Sequence, residues 1–349
     1  MSHAPQINAT KFDLSARSRL ARFLSPRHDI KENDLLALTP DASTREYFRI
    51  PWERKRAVAC VYPEPFDPLF HPFLDITRLF SEVGLPVPEI FATDGTAGII
   101  VQEDLGDIQL QSVLEDSSEE QYEAYQERAI SLIADIQVAT PKAYKMKSIA
   151  SRLAFDEAKL AWELQFFMEH YFGSLRRETL RHGEAAELKV ELNDIAAELA
   201  ARPRVLCHRD YHAANLMVDS RDRLRIVDHQ DARMGPASYD LVSLLLDRQM
   251  EMPSLAEIRA HRLFLLEERR LKGLDVLDPD DFAREFRLMS VQRGLKAVGT
   301  FAYQTSVCGR GNMYEHFIAP TLQSVLQAAE WLDRFPAMRR TIKMRLNAN

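Results

Sequence analysis

The segment Cys207-His-Arg-Asp-Tyr-His-Ala-Ala-Asn-Leu-Met217 restricts this chain more than any other stretch. It sets a carboxylate, Asp210, and an amide, Asn215, on one loop. Beyond them, Leu216-Met-Val218 and Leu224-Arg-Ile-Val227 are apolar pieces joined by the polar turn Asp219-Ser-Arg-Asp-Arg223. Short apolar runs around such a turn predict a β-hairpin. A further carboxylate, Asp228, follows directly after the second run. The hairpin therefore predicts Asn215, at the start of one strand, beside Asp228, at the end of the other.

An amide oxygen beside a carboxylate suits Mg²⁺, which takes hard oxygen ligands and keeps positions for phosphate oxygens and water. The upstream carboxylate, Asp210, is then placed to accept the proton of an attacking hydroxyl in phosphoryl transfer. His208-x-Asp210-x-x-x-x-Asn215 followed by Asp228 reproduces the order of these parts in kinases. Each residue alone is an ordinary loop polar, since Asp and Asn favour turns. Four of them in this order, with a hairpin of the right length between, are not explained that way.

Composition narrows the remaining choices. A chain of 349 residues makes one large or two medium domains with a sizeable core. Charges of both signs are plentiful and the net charge is −7, so no nucleic-acid or anionic-membrane partner is expected. Three cysteines, Cys60, Cys207 and Cys308, are too few and too scattered for a disulfide framework or a zinc site, and they read as buried reduced thiols. No apolar run approaches a membrane span. The N-terminus lacks a basic region followed by an apolar core, so the expected location is the cytoplasm, where ATP is.

In chain order, a short helix over 13–24 precedes strands at Leu35–Thr39, Glu46–Ile50 and Ala57–Tyr62. Phe70, Phe73, Leu74 and Phe80 give Pro68–Val83 a helical spacing that stops at Gly84. Two further strands, Pro86–Phe91 and Gly98–Gln102, lead into Glu103-Asp-Leu-Gly-Asp107. Everything beyond is mainly helical, with apolar stripes at Tyr122–Ile136 and Leu188–Leu199. The aromatics Trp162, Phe166, Phe167, Tyr171 and Phe172 read as core, a sugar-stacking platform being the competing reading. The reading is α+β, with a small β-rich part over 1–104 and a larger helical part over 105–349.

His208-Arg-Asp-Tyr-His-Ala-Ala-Asn215, with Asp228-His-Gln-Asp231-Ala-Arg-Met-Gly-Pro236-Ala-Ser-Tyr-Asp240, resembles the aminoglycoside phosphotransferase superfamily, whose two-lobed fold is similar to that of protein kinases. Asp41-Ala-Ser-Thr-Arg-Glu-Tyr-Phe-Arg49 and Val291-Gln-Arg-Gly-Leu-Lys-Ala-Val-Gly-Thr-Phe301 are similar to a narrower group, the anomeric N-acetylmuramate/N-acetylglucosamine kinases of bacterial cell-wall recycling. The resemblance implies ATP and Mg²⁺ as cofactors, Asp210 as the catalytic base, and Asn215 and Asp228 as metal ligands. It implies that Ser43 and Thr44 cover the phosphates, an ordinary polar turn being the competing reading of that loop, and that the strand end at Gln102 and Glu103 offers hinge groups to adenine. His208 and Asp240 would support the loop; Asp240 also reads as a helix cap.

One departure stands out. Kinases carry a lysine on the third strand that holds the α/β-phosphates; here Ala57–Tyr62 has none, and Lys55 and Arg56 stand before it. Arg45 and Arg49 are the available substitutes. The anomeric sugar kinases are similar in lacking that lysine. For a sugar acceptor bearing a carboxylate, Arg293 and Lys296, three apart on one predicted helix, offer cations, and Asp231 either faces the sugar or backs the metal ligands. A solvated helix face is the competing reading of Arg293 and Lys296. The expected activity is phosphorylation of the C1 hydroxyl of a small amino sugar. The alternatives are another acceptor, an aminoglycoside or a metabolic alcohol, or a nucleotide-binding pseudokinase.

Overall fold

The computed structural model describes residues 14–26, 32, 35–38, 45–248 and 252–347. The chain divides into two compact units: Met1–Ile108 with Met217–Gln230, and Gln109–Leu216 with Asp231–Asn349.

In the first unit, α1 (Ala16–Leu24) precedes a five-stranded antiparallel sheet in the order β1-β2-β3-β5-β4. The strands are β1 (Leu36–Leu38), β2 (Glu46–Trp52), β3 (Lys55–Val61), β4 (Ile90–Asp94) and β5 (Ile99–Glu103). Side chains alternate across a strand, and one face collects Phe48, Ile50, Trp52, Ala57, Ala59, Val61, Ile99 and Val101 against Leu20 and Leu24 of α1. Ser15 caps that helix, accepting from the Ser18 amide at 3.1 Å. Buried Arg19 fastens α1 to the sheet by donating to the carbonyls of Ala97 and Tyr62.

Element ends differ from the apolar pattern where backbone pairing sets them. β3 begins at Lys55, since Trp52 pairs with Lys55 around Glu53, whose φ is +52°. The strand thus does carry a lysine, at its exposed first position, with Nζ 5.9 Å from the Phe91 ring. The strand expected from Pro86 starts only at Ile90. The carbonyls of Pro86 and Val87 instead accept from the Ile226 amide (2.9 Å) and Arg225 Nη2 (3.0 Å). α2 (Pro72–Glu82) starts at a proline, as a first helical turn tolerates. Phe70 therefore lies ahead of it, 72% exposed. The hairpin is present as β7 (Leu216–Val218) and β8 (Leu224–Ile226). Its turn is held by Asp219, which accepts from the amides of Arg221 and Arg223 and from the Arg223 guanidinium.

The second unit is helical around a two-stranded pair, β6 (Arg204–Cys207) and β9 (Arg233–Pro236). Its helices are α3 (Leu110–Glu115), α4 (Glu119–Val138), α5 (Thr140–Met146), α6 (Glu157–Phe167), α7 (His182–Ala200), α8 (Tyr239–Leu246), α9 (Leu255–Leu271), α10 (Pro279–Ser306), α11 (Gly311–Tyr314), α12 (Ile318–Leu332) and α13 (Pro336–Leu346). α8 is buried on every face rather than amphipathic. α10 is the axis of this unit. A Cβ at Gly299 would lie 2.8 Å from the Phe167 Cα, and one at Gly294 would lie 2.5 Å from Val325, so these glycines permit close approach of α6 and α12. Of the expected core aromatics, Phe167, Tyr171 and Phe172 are buried, whereas Trp162 is exposed with Lys159 Nζ 4.0 Å from its ring. Cys60 and Cys207 are buried as expected, but Cys308 is exposed. Among the described residues, no helix is long and apolar enough to cross a membrane.

Candidate active site

β6 ends at Cys207 and releases the chain into the loop that carries Asp210. Pairing of Cys207 with Arg233 brings the start of this loop alongside β9. The Asp240 carboxylate, 1% exposed, accepts from the amides of His208 (2.7 Å) and Arg209 (3.0 Å). Asp240 therefore does not cap its own helix, as the sequence suggested. It uses its place in the first turn of α8 to bind the loop. Burial pushes its carboxyl up, opposed by His208 and the two amides. The His208 ring is buried with its edge toward Tyr211, whose hydroxyl donates to the Ala129 carbonyl at 2.8 Å. At the far end, Asn215 Nδ2 donates to the Asp210 carbonyl at 2.9 Å, which fixes the amide plane and turns its oxygen away from that carbonyl.

Arg209 has a φ of +89°, a conformation that costs a non-glycine residue about 1–3 kcal/mol. Three contacts hold it there. Its amide meets Asp240, its carbonyl accepts from Arg293 Nη1 at 2.8 Å, and its guanidinium pairs with Asp231 at 2.8 Å. The result places Asp210 among three cations: Lys296 Nζ at 3.6 Å, Arg209 Nη1 at 3.7 Å and Arg293 Nη2 at 3.8 Å. Burial works to raise the Asp210 carboxyl, but Lys296, Arg209 and Arg293 outweigh it and hold the group well below the usual carboxylate range.

The two helix cations differ. Arg293 is 1% exposed, and its guanidinium is engaged by the protein: Nε and Nη2 meet Asp247, Nη2 meets Ser243 Oγ at 2.6 Å, and Nη1 meets the Arg209 carbonyl. Lys296 keeps 19% of its side chain exposed beside Asp210. Asp231 is 46% exposed and pairs with Arg209 and, at 3.5 Å, Arg233.

In the first unit, Asp228 adopts a left-handed backbone with φ +59° at the end of the hairpin segment. Its 44%-exposed carboxylate accepts from Gln230 Nε2 at 2.8 Å and lies 3.8 Å from Arg45 Nη2. α2 secures the segment through the next residue. Buried His229 stacks between Phe73 and Phe80, and its Nε2 is 2.7 Å from Thr77 Oγ1. The amide oxygen of Asn215 and the carboxylate of Asp228 are each hard donors of the kind Mg²⁺ takes.

The two candidate substitutes for the strand lysine part company. Arg49 binds Asp104 and Asp107 and so locks the turn after β5. Arg45 lies over the rings of Tyr47 (5.8 Å) and Tyr62 (5.9 Å), next to Asp228. Gln102 pairs with Val58 and Ile90 inside the sheet. The Glu103 amide donates to the Glu89 carbonyl, and its carboxylate holds Arg225. Ser43 and Thr44 lie outside the described residues. The sequence reading missed Ser243 and Asp247. Their spacing from Asp240, three and seven residues on, marks one face of α8 and its C-terminal cap, and that face accepts from the His208 and Arg209 amides and from Arg293.

Comparison with known proteins bears on the family and the fold. The family model described as "Phosphotransferase enzyme family" matches residues 34–274. N-acetylmuramate/N-acetylglucosamine kinase of Neisseria meningitidis serogroup B is 30% identical over 286 residues, covering 81% of this chain and 82% of the relative. The enzyme of the same name from Pseudomonas aeruginosa is 30% identical over 278 residues, 78% of each chain. Among solved structures, choline kinase from Cryptosporidium parvum Iowa II superposes with a TM-score of 0.63 at 11% identity, covering 90% of this chain and 96% of that one. ADP-bound aminoglycoside phosphotransferase APH(2'')-Ib gives 0.53 at 14% identity, covering 89% and 98%. Those likenesses establish a kinase-like α+β fold. With the family model spanning most of its length and relatives at this identity over most of both chains, this chain belongs to the phosphotransferase enzyme family.

Proposed function

We propose that the protein transfers the γ-phosphoryl group of ATP to the anomeric C1 hydroxyl of N-acetylmuramate or N-acetylglucosamine, in the cytoplasm. The observation that carries the choice of acceptor is the charge around Asp210. Lys296, Arg209 and Arg293 all lie within 4 Å of its carboxylate. A polycationic aminoglycoside or a quaternary amine would meet like charge there, which costs affinity. A neutral sugar, or one bearing a lactyl carboxylate, would not. The names of the bacterial relatives point to the same acceptors.

In this reading, Asp210 receives the hydrogen bond of the C1 hydroxyl, aims its oxygen at the γ-phosphorus and takes its proton as the new P–O bond forms. The bond to the ADP oxygen breaks, and the charge leaves on ADP. A strongly ionised carboxylate is a weak base, and the rate comes mainly from orientation. Asn215 and Asp228 would hold Mg²⁺ through oxygen atoms, and the ion would supply neutralisation of phosphate charge. Arg45 does the work of the phosphate-holding lysine that the interior of β3 lacks, its guanidinium binding a phosphate oxygen from its place beside Asp228. Lys296 faces the lactyl carboxylate when N-acetylmuramate is the acceptor.

A coupled ADP-release assay across N-acetylmuramate, N-acetylglucosamine, their methyl glycosides, choline and an aminoglycoside tests this. Turnover with the free amino sugars, none with the glycosides, and an acid-labile 1-phosphate product are expected. Phosphorylation of a methyl glycoside would exclude the anomeric hydroxyl, and turnover with choline or the aminoglycoside alone would exclude the sugar.

A further inference from the structure

The helical unit contains a cavity of about 350 Å³ between α9, the start of α10 and the end of α12, apart from the Asp210 loop. Its walls hold three guanidiniums, Arg259, Arg262 and Arg287, with Leu263, Leu266 and the half-exposed Trp331. Arg287 is 4% exposed, and its Nε has no hydrogen-bond partner among the described residues. Its guanidinium lies 5.5 Å from the Trp331 ring. Arg262 donates to the Ile258 carbonyl at 3.4 Å and stands over Phe286. Asp280 is the single carboxylate in the lining.

A buried cation without a hydrogen-bonded anion is costly, and a second cation beside it adds to the cost. Burial and Arg262 bring Arg287 down to about 10, so it stays charged at neutral pH. The cavity thus presents excess positive charge to an aromatic and aliphatic wall. Among the described residues of the lining, Asp280 is the one carboxylate against three arginines, and it acts on Arg262 rather than on Arg287. We infer that this cavity is a binding site for a small organic anion, with a phosphate or carboxylate head on the arginines and a flat apolar body against Trp331, Leu263 and Leu266. Its volume falls in the range of small-molecule sites. The site is distinct from the acceptor site: Arg287 and Lys296 are nine residues apart on α10, about 14 Å along the helix, so one small ligand does not span both.

The test is calorimetric titration of 1-naphthyl phosphate into the full chain, with 1-naphthol and inorganic phosphate as controls. The naphthyl phosphate should bind with a Kd of about 1 mM or tighter, and each control at least about tenfold more weakly. Arg287→Met should weaken binding about tenfold or more, as for a lost hydrogen bond to a charged group. Arg259→Gln, an exposed substitution that leaves the fold intact, should weaken it about threefold. Absence of binding to the natural chain overturns the inference, as does equally tight binding of 1-naphthol. So does unchanged affinity in Arg259→Gln together with any folded form of Arg287→Met. None of these readouts depends on kinase activity, so failure here leaves the proposed function standing, and the reverse.

Discussion

Replacing Arg293 with Met separates a residue that builds the site from one that reads the substrate. The guanidinium is 1% exposed, and its hydrogen bonds go to the protein's own groups: the Asp247 carboxylate, Ser243 Oγ and the Arg209 carbonyl. Asp247 keeps only 13% of its side chain exposed. Methionine fills much of the volume but leaves that carboxylate buried without its counter-charge. Breaking one side of such a pair costs about 3–5 kcal/mol. A hydrogen bond to a charged group is worth about 1.5–3 kcal/mol, so the two bonds to Asp247 alone account for the figure. Urea unfolding followed by far-UV circular dichroism reads the loss as a lower midpoint. Adding Asp247→Leu should restore part of it, because the uncompensated charge is then gone, with a coupling of about 2 kcal/mol or more. Turnover should fall by the same factor on N-acetylmuramate and N-acetylglucosamine. A loss below about 1 kcal/mol, or a loss confined to N-acetylmuramate, would refute the assignment of Arg293 to the scaffold.

Lys296→Met should leave stability nearly unchanged but hurt N-acetylmuramate more than N-acetylglucosamine, by about 1.5–3 kcal/mol in kcat/KM; equal losses would mean that the lysine does not face the lactyl group. The same substitution tests the charge on Asp210. A depressed carboxyl keeps activity as pH falls through the ordinary carboxylate range near 3.9, and removing Lys296 raises that carboxyl, so the acid limb of kcat/KM should move to higher pH; an unmoved limb contradicts the cation cluster. Arg45→Ala should raise KM for ATP about ten- to a hundredfold, the value of a lost charge-assisted bond to phosphate, with the sheet still folded; unchanged nucleotide affinity by calorimetry in Mg²⁺ would remove Arg45 from the phosphate site.

What the sequence disclosed was short-range. The β7–β8 hairpin follows from two apolar runs and a turn built on Asp219, and the Asp210–Asn215 loop from its own spacing. Asp240 was legible, through the resemblance, as a support of the loop; its reading as a helix cap failed, and its partners, the His208 and Arg209 amides, are set by the tertiary fold. Arg293 presented the same difficulty. On a helix it looks like a surface cation, and its partner Asp247 lies 46 residues away. Periodicity along α8 would have exposed that face, because Asp240, Ser243 and Asp247 recur at helical spacing. Strand ends were misplaced at Pro86 and Lys55 because carbonyl pairing with Ile226 and Trp52, not side-chain pattern, decides them.

The central claim is that Asp210 orients and deprotonates the acceptor hydroxyl. The direct measurement is steady-state ADP release with N-acetylmuramate for Asp210→Asn, beside calorimetric binding of Mg-ATP to the same variant. Asparagine keeps the shape and the Asp210 carbonyl that holds Asn215, so folding and nucleotide affinity should persist. The account predicts a fall in kcat of at least about 100-fold. Near-full turnover by that variant would contradict it.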